Sequence, residues 1–256
     1  MTINLADLKA RIKKPQARKQ WNKILLYGPA GVGKTSLYYD AKDTLVLDVE
    51  YGTNVLKRNN YYLPKDYDSP VQVLQLESWA DLQGVFMLLQ SGELKFTNII
   101  LDSLTDIREL CKDYVLETEN RKRISDDVPS QQDWGVVAER MKKMIRNFKT
   151  LDANIILIAR EYTYKDDVTG ETFVRPAIGG KLEDDLPGMM DIVGYMNVTR
   201  EGERAIWFDL TGRYYAKDRT NRFPKIIKNP TWADFEKALP ELVPESESEA
   251  VKQETA

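Results

Sequence analysis

Eight residues in a row leave this chain few ways to fold: Gly28, Pro29, Ala30, Gly31, Val32, Gly33, Lys34 and Thr35. The apolar run Lys23–Tyr27 before them reads as a buried strand, and a helix is expected to begin near Lys34. Glycine lacks a Cβ, so successive amides along such a loop can turn into one concavity. A ring of amides at a helix start holds phosphate. Lys34 is then placed to reach the β- and γ-phosphates of a nucleoside triphosphate, and the Thr35 hydroxyl to bind Mg²⁺. The cradle is read as Gly28, Pro29, Ala30, Gly31, Val32, Gly33, Lys34, Thr35 and Ser36, with ATP and Mg²⁺ as the cofactors. A chance glycine-rich turn has no reason to fall between a buried strand and a helix.

Composition narrows the metal. The chain has 256 residues, no histidine and one cysteine, Cys111. This excludes histidine-based acid–base catalysis, an internal disulfide and nearly all zinc or haem sites. The remaining metals are hard cations held by oxygen. Asp102 follows the apolar strand Asn98–Leu101 and falls at the carboxyl edge, where ligands of open α/β sheets bind. Thr35 and Asp102 are therefore the metal candidates. An aspartate here can instead cap the next helix, but Ser103 is available for that. Because Ser103 follows Asp102, no glutamate stands there to polarise water. Glu50, just past the apolar run Thr44–Val49, is the candidate base. That run is expected to neighbour the phosphate-loop strand and so bring Glu50 within reach of the γ-phosphate.

Further along, Val71–Leu76 alternates as a strand does, and Trp79–Gln90, Leu104–Asn120 and Trp134–Leu151 have helical spacing. Asn154–Ala159 is another apolar strand. Tyr162–Tyr164 and Thr172–Val174 flank a turn, as do Ile192–Thr199 and Arg204–Leu210, and Tyr214–Lys217 continues the strand pattern. The expected fold is α/β: a mainly parallel central sheet flanked by helices, with antiparallel C-terminal hairpin strands. No apolar run approaches the ~20 residues that cross a bilayer, and no membrane partner is expected. The N-terminal segment has no apolar core of signal-peptide type.

GPAGVGKT, LDVEYG, LDSLT and YAKDR occur in this order, and with them the chain resembles the RecA superfamily of P-loop NTPases. It is most similar there to phage RecA-like nucleotide-binding proteins of AAA type, including the phage single-strand annealing ATPases. The resemblance spans roughly residues 22–228, and its one highly specific part is the phosphate loop. It implies a RecA-like ATPase core over 22–239 and a catalytic role for Glu50. It implies a γ-phosphate sensor at Arg160, where glutamine or histidine is more usual. Arg160 either contacts phosphate or forms a surface ion pair. Lys217 and Arg219, two apart on a strand, face one side. The resemblance implies that they reach a neighbouring subunit's γ-phosphate. It also implies a homo-oligomer, ring or filament, acting on single-stranded DNA, with a single-stranded-DNA-binding protein as a further partner and the bacterial host cytoplasm as the setting.

Three segments are candidates for nucleic acid. Residues 1–21 form a basic extension, with a short helix broken at Pro15. The loop Arg121–Asp133 and the hairpin Tyr162–Arg175 mix cations with carboxylates, and solvated loops are an equal reading. Residues 240–256 are acidic and without apolar periodicity, which predicts a disordered tail that either solubilises or occupies a basic site. The leading expectation is a DNA-acting ATPase. The alternative is a nucleotide-gated adaptor for replication or recombination proteins with little or no turnover.

Overall fold

The computed structural model describes Lys9 and residues 21–57, 68–209 and 211–238. Beyond Lys9, these belong to one compact unit, Trp21–Leu239. The basic extension up to residue 20 and the acidic tail, apart from Lys9, lie outside the described residues.

Among the described residues there are ten strands, interspersed with helices. They are β1 (Lys23–Gly28), β2 (Thr44–Asp48), β3 (Gln72–Gln75), β4 (Asn98–Asp102), β5 (Asn154–Lys165), β6 (Thr172–Pro176), β7 (Ile192–Val198), β8 (Arg204–Trp207), β9 (Lys217–Asp218) and β10 (Ile226–Lys228). The α-helices are α1 (Trp79–Ser91), α2 (Leu104–Thr118), α3 (Gln131–Lys149), α4 (Leu182–Met189) and α5 (Trp232–Ala238). The sheet order is β10-β8-β7-β1-β5-β4-β2-β3. From β7 to β3 all pairs are parallel, whereas β8, β9 and β10 join antiparallel and β6 pairs antiparallel with the outer half of β5. This is the expected α/β architecture.

The near-continuous apolar strands follow from burial on both faces. Leu25, Tyr27, Leu47, Leu101 and Leu157 pack on one side with α1, α2, α3 and α4. Ile24, Leu26, Val46, Ile100 and Ile156 face the other side, against Leu37, Tyr38, Trp232 and Phe235. Capping boxes start α1 (Ser78 with Asp81) and α3 (Ser130 with Asp133). The second places the start of α3 at Gln131, ahead of the first apolar periodic residue, Trp134.

Two expectations need correction. β2 does not neighbour β1, because β5 and β4 stand between them. Apolar runs reveal strands but not their lateral order, and here the later strands β5 and β4 take the positions between β1 and β2. The helix expected after the phosphate loop is a single 3-10 turn, Thr35–Tyr38. The chain has only Tyr39–Asp43 in which to turn back into β2, which leaves no length for a longer helix.

Candidate functional site

The carboxyl ends of β1, β2, β4 and β5 bring most of the anticipated residues together. Gly28 ends β1 where the chain leaves the sheet, and a Cβ there would stand 1.9 Å from the Met196 carbonyl oxygen of β7. Gly31 and Gly33 have φ of 76° and 90°, in the left-handed region that favours glycine. These angles turn the loop Pro29–Gly33 back over the strand end. Lys34 is buried, and its Nζ donates to the carbonyls of Gly28 (2.9 Å) and Pro29 (2.7 Å). Burial lowers the Lys34 ammonium below its ordinary value, with Asp102 and Glu161 opposing. A buried ammonium facing loop carbonyls suits an anion in the cradle. With so short a turn behind it, the loop has no long helix dipole to add to its amides and Lys34.

Thr35 and Asp102 meet across the strand ends. Thr35 Oγ1 donates to Asp102 Oδ2 at 2.7 Å, and the Tyr38 hydroxyl donates to the same oxygen at 2.6 Å. Burial pushes the Asp102 carboxyl up, and the two hydroxyls pull it back. Burial and the facing carboxylate push the Tyr38 phenol well above its ordinary value, so it stays a donor. Ser103 takes the N-cap position of α2, so Asp102 is not the cap. Two hard oxygens from Thr35 and Asp102, beside a phosphate cradle, fit Mg²⁺. Among the described residues no cluster of three or more acidic or cysteine side chains offers a metal site of its own.

Glu50 follows β2 on a turn anchored by Asp48. The buried Asp48 carboxylate accepts from Gly52 N (3.2 Å), Thr53 N (3.0 Å) and Thr53 Oγ1 (2.5 Å). Glu50 pairs with Arg160 at 3.3 Å, and Arg160 also pairs with Asp106 of α2. Burial and then Asp106 raise the Glu50 carboxyl, and Arg160 pulls it down. Arg160 lies in register with Gly28, so the adjacent strand carries it to the lip of the phosphate loop. Of its two anticipated roles, the ion pair is the one this geometry contains.

A family model described as an AAA domain matches residues 20–220. The chain belongs to the AAA-domain family. No curated protein matches it. Among solved structures it is similar to a prototypical ATPase from the type III secretion system of pathogenic bacteria, at 17% identity and a TM-score of 0.41. That match covers 70% of this chain and 52% of the other, so the chain spans about half the length of that structure.

Two anticipated residues of this AAA domain stand apart from the cluster. Lys217 pairs with Val193, which is level with Leu25, and Arg219 N donates to Asp191 O at 3.0 Å. This is the amino end of the sheet. Gly28 is three residues along β1 from Leu25, roughly 10 Å at ~3.3 Å per residue, and five from Lys23, the level of Asp191, roughly 16 Å. Both cations stand toward the end of the sheet away from their own chain's phosphate loop. Burial, then Arg219 and Lys149 against Asp191, brings the Lys217 ammonium down to about 8. No ion pair among the described residues involves Lys217.

The two described nucleic-acid candidates of the AAA domain differ sharply. In the loop after α2, Arg123 binds the buried Asp133 through two 3.0 Å bonds, and Arg121 pairs with Glu119 at 3.3 Å. Those cations join α2 to α3. On the hairpin, Tyr164 stacks with Tyr162 (6.0 Å) and Phe173 (5.5 Å), and the Arg175 guanidinium lies 3.8 Å from the Tyr215 ring. Tyr162 is 49% exposed, so its ring is open to a partner. Sequence reasoning missed Tyr38, Asp48 and Asp106 as members of the site. Tyr38 had one signal, its spacing of three from Thr35. Among the described residues no helix is long and apolar enough to cross a membrane.

Proposed function

We propose that this AAA domain is an ATPase that binds ATP with Mg²⁺ and uses the nucleotide to control binding of single-stranded DNA by an oligomer. One observation carries the reading: Lys34, the Thr35–Asp102 pair and the Glu50–Arg160 pair all converge at one edge of the sheet, beside the glycine cradle. Thr35 and Asp102 would hold Mg²⁺, which would supply charge neutralisation across the phosphates. Lys34 Nζ exchanges its loop carbonyls for phosphate oxygen. Glu50 orients water and accepts its proton at a carboxylate oxygen once Arg160 turns toward the phosphate.

The DNA part rests on resemblance and on the hairpin. β5 runs unbroken from the core through Arg160 to Tyr162 and Tyr164, so a change at Arg160 is two residues from the aromatic face. Stacking on such rings tolerates any base. Lys217 and Arg219 complete a neighbouring copy's site. A reducing cytoplasm suits the buried free thiol of Cys111.

The test is nucleotide binding together with phosphate release, with and without single-stranded DNA. Lys34→Ala is expected to weaken ATP binding by about tenfold or more, since a charge-assisted bond of ~1.5–3 kcal/mol is lost. Equal affinity in the variant would remove the nucleotide reading. DNA-stimulated release supports the ATPase. One observation favours the adaptor alternative: Glu50 is held by an arginine that also binds Asp106. Tight ATP binding without release would favour it. Glu50→Gln is expected to cut phosphate release by about 10²–10⁴-fold with ATP affinity kept. Undiminished release in that variant assigns the base elsewhere.

A further inference from the structure

We infer that Tyr38 is a positioning residue for the magnesium-binding carboxylate, holding Asp102 so that one oxygen alone remains for the hydrated ion. The inference rests on the reading of Thr35 and Asp102 above, and it concerns a residue outside the phosphate-loop signature. The geometry begins in the short turn. In a 3-10 helix the side chains at i and i+3 eclipse. Thr35 and Tyr38 are so spaced within Thr35–Tyr38, and both hydroxyls reach the same atom, Asp102 Oδ2, at 2.7 and 2.6 Å. The Tyr38 ring is 1% exposed and packs in the apolar layer with Ile24, Val46 and Ile100, so the phenol oxygen has a fixed place.

With two donors on Oδ2, Oδ1 would be the oxygen left for a hydrated cation. The Thr35 hydroxyl cannot fix the carboxylate plane alone, since it rotates and also serves the metal. Tyr38 therefore supplies the second, rigid point. Partners behind a metal ligand typically alter metal affinity by about 10–100-fold when removed.

The experiment titrates Mg²⁺ against a fluorescent, non-hydrolysable ATP analogue, with a parallel measurement in EDTA. In Tyr38→Phe, half-saturation by Mg²⁺ is expected to rise about tenfold or more, while affinity in EDTA stays within about twofold of the parent. A merely structural role would weaken both measurements alike, and that result overturns the inference. Asp102→Asn separates this claim from the one beneath it. If Asp102→Asn loses the Mg²⁺ effect and Tyr38→Phe keeps it, Tyr38 has no positioning role. If Asp102→Asn keeps it, the metal reading itself fails, and this inference with it. Should Tyr38→Phe not fold, Tyr38→Met fills the ring's space with a flexible apolar chain and is read by the same criteria.

Discussion

Gly28→Ala is expected to lower the melting point of the nucleotide-free protein by roughly 6–12 °C, on the scale of ~3 kcal/mol at ~2–4 °C per kcal/mol for a domain of this size. The added Cβ would lie 1.9 Å from the Met196 carbonyl oxygen. An ordinary contact needs roughly 3.5 Å, so β1 and β7 would have to part by more than about 1 Å. Neither strand is free to move. β1 is paired with β5 on its other side, and Met196 is paired with Ile206 of β8. Gly31→Ala is the matched control. Its φ is also positive, at 76°, but nothing lies within 4 Å of its added Cβ. It should cost only the ~1 kcal/mol of a left-handed non-glycine residue. Both variants alter one glycine of one loop, so a composition argument predicts equal effects and the packing argument predicts unequal ones. A Gly28→Ala protein that melts with Gly31→Ala would show that β7 yields.

The same contrast explains how much could be read before folding. The phosphate loop was legible because glycine at fixed spacing encodes backbone shape directly. Asp102 was legible because an apolar run followed by an acid marks the end of a buried strand. The place of β2 was not, since alternation says which residues are buried and nothing about which strand lies beside which. Glu50 nonetheless reaches the site, because β2 pairs with β4, the strand that carries Asp102, and Asp48 is level with Asp102. Arg121 and Arg123 read equally as cations for DNA or as part of a solvated loop, and the structure has the buried carboxylate of Asp133 and the half-buried one of Glu119 claim them. Tyr38 carried no reading in the sequence, and the structure makes it core. Its second task appears only when the chain forms a 3-10 turn in place of the expected helix.

Arg219→Ala is expected to lower phosphate release from the assembled protein by about 10³-fold or more, the usual effect of a cation supplied in trans. ATP affinity should stay near that of the parent, because Arg219 lies at the end of the sheet away from its own phosphate loop. Fold disruption is a weak alternative, since the exposed guanidinium gives up one bond, to the Gly188 carbonyl at 3.2 Å. Lys34→Ala is expected to be impaired for the opposite reason, having an intact Arg219 and weakened nucleotide binding. Mixing the two impaired proteins therefore distinguishes a trans role from every cis role. In a head-to-tail assembly formed at random from equal amounts, about a quarter of interfaces join an intact phosphate loop to an intact Arg219. Those interfaces should turn over, and activity should rise above that of either protein alone. A mixture that assembles and stays no more active than its parts would take Arg219 out of the neighbour's site. Lys217 would then be a half-buried cation whose burial Asp191 offsets only in part, and the reason for its place at the amino end would have to lie elsewhere.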